Sequence, residues 1–292
     1  TLNGMGKCAG NLNTELLVDY LVRKRNYDYD FDAILDIIDD HIYNYHLQHQ
    51  WGYSIPALMG GIYRSHPNNI IYLTEKFRLA TKDIKYIISM IDPDKRMRYD
   101  YDNIQRLYQE YNHVKVDDKE NLALLQRILK GKKILLLMPG LSISQYKDEI
   151  LKKIEAENLF VITVNFRDET FDKYSELAFW GSQKRYEHYT DLRKEVTSLI
   201  TSNIESDMED DIIVNYDSFV DRTQEYSDNA SLMLMRILQR VGVVSYYVAG
   251  FDGFTVNGSY YNKTDFSEER FRSQYESINK GVAHQLSMFA DS

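Results

Sequence analysis

The chain has one cysteine, four prolines and two tryptophans in 292 residues, and each scarcity excludes something. A single thiol, Cys8, rules out an internal disulfide and a multi-cysteine zinc site, which fits a reducing compartment and places the protein in the cytoplasm. No stretch approaches the ~20 apolar residues that a membrane span requires, so no membrane partner is expected. Basic residues are outnumbered, 35 against 44 acidic, for a net charge of −9. Without a concentrated basic patch, that balance repels nucleic acid. The seven histidines contain no His-x-His.

What is present suits a globular protein: 43% hydrophobic and 27% charged residues, long enough for two domains. The sequence begins at Thr1 without a signal-peptide pattern and reads as cut from something larger. The 24 tyrosines are scattered, as expected of amphipathic packing at core edges.

The first third reads as helical. Residues 1–11, TLNGMGKCAGN, form a glycine-rich loop that feeds an apolar series, Leu16, Leu17, Tyr20 and Leu21, at helical spacing. Asn13 is placed to cap this helix, and Glu15 suits its positive end. Further helical patterns cover Phe31–Ile42, Ile70–Ala80, Ile84–Ile91 and Ile104–Tyr111, with breakers at Gly52–Pro56, Pro67 and Pro93. His46 and His49 share a helix face but lack a third ligand at matching spacing, and Asp36, Asp39 and Asp40 read as a solvated face.

Beyond the aperiodic stretch 112–120, NHVKVDDKE, the pattern changes type. Residues 132–140, KKILLLMPG, form a short continuous apolar run, as in a buried parallel strand. Strands are also expected in 160–166, 211–216 and 243–253, alternating with helices around Ile150–Ile154 and Leu232–Val241. The domains are therefore set at 1–22 (loop and helix), 23–112 (helical), 113–131 (linker and lead-in helix) and 132–292, an α/β unit with a doubly wound, Rossmann-like parallel sheet.

Two groups of residues carry candidate chemistry. Gly4, Gly6, Gly10 and Asn11 either make a tight turn or let backbone approach a small anionic substrate, since glycine has no Cβ and tolerates positive φ. In the α/β unit, ligands to open parallel sheets lie beyond the strands' carboxyl ends. There, Gly140 suits close approach of a phosphate, Ser142 a helix cap, Asn165 a donor and acceptor for ribose or base, and Asp252 with Gly253 a sugar hydroxyl or metal ion. No Gly-x-Gly-x-x-Gly or Gly-Lys-Ser is present, which disfavours NAD and P-loop chemistry.

Gly4-Met-Gly-Lys-Cys-Ala-Gly-Asn11 followed by Glu15 resembles the last barrel loop of the 4-hydroxy-2-oxovalerate aldolases, within the pyruvate-lyase, HMG-CoA lyase-like TIM barrels. Gly61-Ile-Tyr63 is similar to that family's C-terminal helical segment, and the likeness covers roughly residues 1–111. It implies a truncated TIM barrel and a carbon–carbon lyase acting on a small-molecule 2-oxo acid. A divalent metal, Mg or Mn, is implied only in a full-length barrel, and Tyr63 is the candidate catalytic residue.

The turns at Pro139-Gly-Leu-Ser142, Asn165-Phe-Arg167, Asn215-Tyr-Asp217 and Gly250-Phe-Asp-Gly253, with the aromatic segment 179–186 and Ser227-Asp-Asn-Ala230, resemble a second group. This is the Rossmann-like family that joins hydroxymethylpterin pyrophosphokinase-like and bacterial sialyltransferase-like proteins, and the likeness spans roughly 132–262. It implies a nucleotide or nucleotide-sugar ligand and a place in surface-glycan synthesis. The alternatives are glycosyl or phosphoryl transfer in the C-terminal domain alone, with Lys184 and Arg185 either toward a phosphate or on a solvated helix face, or a non-catalytic interaction module. A homo-oligomer is compatible with each.

Overall fold

The computed structural model describes residues 1–6, 10–49, 51–77, 79–224, 226–255 and 274–290. Cys8, the middle of the first glycine block and the last residues of the 132–262 likeness lie outside them. The chain forms two compact units, Thr1–Tyr108 and Gln109–Ser292.

The first unit is helical: α1 (Thr14–Arg25), α2 (Phe31–Ile37), α3 (Tyr43–Gln48), α4 (Ile55–Tyr63), α5 (Pro67–Lys76), α6 (Thr81–Ser89) and α7 (Tyr101–Tyr111), the last containing the division between units. A π-helical turn, Ile38–Ile42, joins α2 to α3. The core lies in the later helices, where Ile70 and Leu73, Ile84, Ile87 and Ile88, and Ile104 and Leu107 recur at the three- and four-residue spacing that gathers one face of a helix. Tyrosines edge it, Tyr72 stacking on Tyr101 at 4.4 Å and Phe77 on Tyr108 at 3.8 Å.

Two local expectations need correction. Asn13 occupies the N-cap position of α1, but its amide donates to Glu15 Oε1 at 2.9 Å and accepts nothing from the helix. Pro56 and Pro67, taken as breakers, start helices, because a first-turn N–H has no intrahelical acceptor to lose. Ser54 caps α4 by accepting from Ala57 N at 3.3 Å. The whole of α4 was hidden by its glycines, Gly60 and Gly61.

The second unit contains α8 (Lys119–Leu129), β1 (Ile134–Leu137), α9 (Ser142–Gln145), α10 (Lys147–Glu157), β2 (Phe160–Val164), β3 (Ser175–Trp180), α11 (Gln183–His188), α12 (Thr190–Glu195), β4 (Ser198–Thr201), β5 (Ile212–Val214), α13 (Ala230–Arg240), β6 (Tyr247–Ala249) and α14 (Tyr275–Ala290). The six strands form one sheet in the order β5-β4-β3-β2-β1-β6, every pair parallel. Ile134, Leu136 and Met138 pack with residues of α8, α13 and α14 on one face, while Leu135 and Leu137 pack with Ile154 of α10 on the other. Helices thus cover both faces, as a parallel sheet with strands apolar on both sides demands.

Where four strands were expected there are six. β3 opens on polar Ser175 and Glu176, and β4 has only two apolar residues, Leu199 and Ile200, between Ser198 and Thr201. The last strand is shorter than the run 243–253, because Val243 N still donates to Leu238 O in closing α13 and Val244 stands in solvent.

Candidate functional site

The chain steps in one direction from β1 to β5 and then returns to the far side of β1, so the order reverses between β1 and β6. Loops leaving a parallel sheet at such a point diverge to opposite faces and leave a crevice at its carboxyl edge. Gly140 and Ser142 follow β1, Asp252 and Gly253 follow β6, and three of these four meet. Ser142 donates twice to Asp252, from its backbone N to Oδ2 at 2.7 Å and from Oγ to Oδ1 at 2.5 Å. Beneath them Met138 N donates to Ala249 O and Gly140 N to Gly250 O, both at 2.9 Å.

Both glycines are required by this closure. A Cβ on Gly140 would stand 2.5 Å from Asp252 Oδ2 and 2.5 Å from Gly250 O; one on Gly250, whose φ is +76°, would stand 1.9 Å from Met138 O. The direction in which Gly140 lacks a side chain is therefore filled by protein. Ser142, expected to cap the helix, is instead its first residue, and its amide is taken by a carboxylate. Asp252 itself is exposed, and each of its oxygens keeps a lone pair for a further donor.

Asn165 lies at the end of β2 with φ +56°, its N donating to Phe179 O and its Oδ1 accepting from Gly181 N at 2.9 Å. Its acceptor ties β2 to β3, leaving Nδ2 as the donor it can offer. Gly253 (φ +74°) serves a different contact from Asp252: the next residue is latched to α14, Phe254 N donating to Asn279 Oδ1 at 2.9 Å and Asn279 Nδ2 to Phe254 O at 2.7 Å.

In the first unit Gly4, Gly6, Gly10 and Asn11 also come together. Asn11 N donates to Gly4 O at 3.0 Å and Asn11 Nδ2 to Met5 O at 2.9 Å. A Cβ would lie 2.5 Å from Gly4 O if placed on Gly10 (φ +82°) and 2.3 Å from Asn11 Nδ2 if placed on Gly6. Trp51 Nε1 donates to Asn3 O at 2.8 Å and holds the loop from outside. Tyr63 ends α4, and among the described residues no hydrogen bond joins it to this loop. His46 and His49 pack against Trp51 and Tyr45, at 4.4 and 4.6 Å, as part of an aromatic group.

The sequence reading missed a polar cluster at the ends of β4 and β5. His113 Nδ1 pairs with Asp217 Oδ2, and Arg222 Nη2 donates to Asp217 Oδ1 at 2.6 Å. Ser202 Oγ donates to Val114 O at 2.5 Å and accepts from Tyr216 N at 3.1 Å; Asn203 Nδ2 donates to Asn112 Oδ1 at 3.1 Å. Asn203 Oδ1 and Asn215 Oδ1 are buried with no donor. The cluster's one sequence signal was Asn215-Tyr-Asp217 at a strand end; His113 sits in an aperiodic stretch.

Nearby, the Arg193 guanidinium lies 3.8 Å from the centre of the Tyr186 ring and pairs with Asp207. Tyr186 OH donates to Asp211 Oδ2 at 2.5 Å. Burial, then the Asp211 carboxylate, pushes the Tyr186 hydroxyl above its ordinary value, and Arg193 holds Asp207 below its own. Arg185, considered for a solvated face or a phosphate, is buried. Among the described residues no three His, Cys, Asp or Glu side chains gather to hold a metal ion, and no helix is long and apolar enough to cross a membrane. No family model, curated protein or solved structure matches this chain.

Proposed function

We propose that residues 109–292 bind a nucleotide or nucleotide-sugar in the crevice between β1 and β6, for a transfer reaction serving surface-glycan synthesis. The observation that carries the reading is the reversal of strand order with an exposed carboxylate, Asp252, fixed at it by Ser142. Because that carboxylate occupies the amide a phosphate would use, recognition runs through hydroxyls of the ribose or sugar, which donate to Asp252, while Asn165 Nδ2 offers a donor one strand away. Titration calorimetry with cytidine, CMP and CDP tests this. Cytidine is expected to keep most of the affinity of CMP, and the absence of binding by all three at millimolar concentration would sink the proposal.

A second reading concerns the first unit, as the C-terminal segment of an aldolase-like lyase that packs on a barrel or a partner subunit. It is favoured by the apolar side chains that α1 to α4 and their flanks leave in water, among them Leu12 and Leu16 at 64% exposure, Ile37 and Ile62. Single exposed leucines are ordinary, whereas a run of them along four helices marks a surface for covering. The Mg or Mn of such a lyase finds no ligand set among the described residues, so no step through a metal is assigned to this chain. Sedimentation of the protein is expected to show self-association that Leu16→Glu and Ile37→Glu weaken; a monomer at high concentration argues against a self-covering face.

A further inference from the structure

On α14 one polar side chain interrupts an apolar packing stripe. Tyr275, Ile278 and Val282 sink into the core shared with α13, and Leu286 and Phe289 pack against it. Their three- and four-residue spacing gathers them on one face of the helix. Gln285, also buried there, accepts from Arg236 Nη2 at 2.5 Å. Asn279 stands one turn beyond Tyr275 and gives both ends of its amide to a single residue outside the helix: Phe254 N donates to Oδ1 at 2.9 Å, and Nδ2 donates to Phe254 O at 2.7 Å.

A donor and an acceptor offered together to one residue's backbone are what a neighbouring strand supplies, so this amide holds both peptide groups of Phe254. The Phe254 ring is held by the same helix, stacked on Tyr275 at 5.0 Å. Gly253 lies pressed between, with φ +74° and room for a Cβ only 2.9 Å from Asn279 Oδ1.

Asp252 therefore sits in a short bridge. On its near side Gly140 N donates to Gly250 O at 2.9 Å and Phe251 packs against the core; on its far side Phe254 is gripped by α14. Ser142 holds the carboxylate oxygens, but water competes for that exposed contact. The direction in which the carboxylate leaves the backbone is set by the two ends of the bridge, and Asn279 is the polar side chain that fixes the far one.

We propose that Asn279 is the positioning residue for Asp252, and that through it the docking of α14 and the occupation of the crevice between β1 and β6 favour one another. The second half rests on the reading that the crevice takes a nucleotide through Asp252. Coupling between sites is reciprocal, so a ligand that needs Asp252 in its fixed orientation also tightens α14.

The test is calorimetric titration of the whole chain with CMP, using wild type, Asn279→Ala, Asp252→Asn, the two combined, and Gln285→Ala. The last removes a polar contact of the same helix that does not reach Phe254. Asn279→Ala should weaken CMP about fivefold and Gln285→Ala less than about twofold, and the effect of Asn279→Ala should shrink below about twofold once Asp252→Asn has removed the charge it orients. Equal weakening by Gln285→Ala would make Asn279 a stabiliser of the helix only, and a loss that persists in the Asp252→Asn background would place its action elsewhere. Either result overturns the proposal, as does full CMP affinity in Asn279→Ala. Where wild type binds no CMP the nucleotide reading fails, and positioning is decided in the free protein by amide hydrogen exchange. Ser142 N–H, closed by Asp252 Oδ2 at 2.7 Å, should exchange at least about tenfold faster in Asn279→Ala than in Gln285→Ala. Equal Ser142 rates in the two variants overturn positioning as well.

Discussion

Replacing Asp252 by asparagine separates two ways in which the crevice between β1 and β6 could meet a ligand. The change keeps shape and removes one negative charge. The amide oxygen of the Asp252→Asn variant can still accept from Ser142 N, and Ser142 Oγ can rotate to accept from the new amide nitrogen, so both contacts at 2.7 and 2.5 Å persist in neutral form. Hydrogen bonds to a charged group contribute about 1.5–3 kcal/mol and neutral ones about 0.5–1.5. Since the carboxylate is exposed, solvent reduces the difference, and a stability loss of about 1 kcal/mol is expected in urea melts followed by tryptophan fluorescence. The effect on ligand is larger and its sign is informative. If ribose or sugar hydroxyls donate to Asp252, losing the charged acceptor lowers CMP affinity about tenfold, the factor that corresponds to ~1.4 kcal/mol. If a phosphate lies about 5 Å away instead, the variant lifts a repulsion of ~1–3 kcal/mol and affinity rises. Calorimetric titration of wild type and Asp252→Asn decides, and tighter binding by the variant would refute hydroxyl recognition.

Three further outcomes follow from named contacts. Gly250→Ala should cost about 3 kcal/mol or more in denaturant midpoints, because its Cβ meets the Met138 carbonyl at 1.9 Å in a left-handed conformation; a loss below ~1 kcal/mol would show that the β1 and β6 loops yield easily. Tyr186 has a raised pKa, so its contribution is fully present below its ordinary value of 10.0 and is lost as pH rises through the higher folded value. The stability gap between wild type and Tyr186→Phe should therefore narrow above about pH 10, and a gap constant with pH contradicts the burial argument. His113→Asn and Asp217→Asn should show a coupling of about 0.5–1 kcal/mol in a double-mutant cycle, modest because His113 is half exposed, and zero coupling would mean the pair is incidental.

How much of this was legible in the sequence depended on whether the signal was local. β1 and β2 announced themselves because strands buried on both faces are apolar throughout, so ILLL and FVITV needed no partner to be recognised. β4 is just as buried but reads SLIT, polar at both ends, and β3 begins with Ser and Glu at its exposed end; their strand character is conferred by pairing with neighbours. The turns after β1 and β6 could be named as site candidates one at a time. That Ser142 would be bound by Asp252, 110 residues away, could not, and this contact turns a phosphate-type turn into an acidic one. Glycine was the most ambiguous letter. At positions 4, 6, 10, 140 and 250 its absent Cβ makes room for the protein's own carbonyls and side chains, a requirement that leaves the same trace in a sequence as room for a ligand.

The polar groups at the carboxyl edge lie at its two ends, and their separation constrains any joint role. Ser142 and Asp252 stand over β1 and β6, while His113, Asp217 and Arg222 stand over β5, four strand positions from β1. At ~4.8 Å per step that is about 19 Å, beyond a hydrogen-bonded network and well past a Debye length at physiological salt. A ligand that met His113 as well as Asp252 would therefore have to extend along the whole edge, whereas a nucleoside held at Asp252 covers less than half of it. Unless a ligand bridges them, the two clusters act separately. Asp252→Asn and His113→Asn should then be additive in stability to within about 0.5 kcal/mol in the free protein. Departure from additivity in CMP affinity alone would reveal a ligand that spans β1 to β5; additivity in both confines binding to the reversal point.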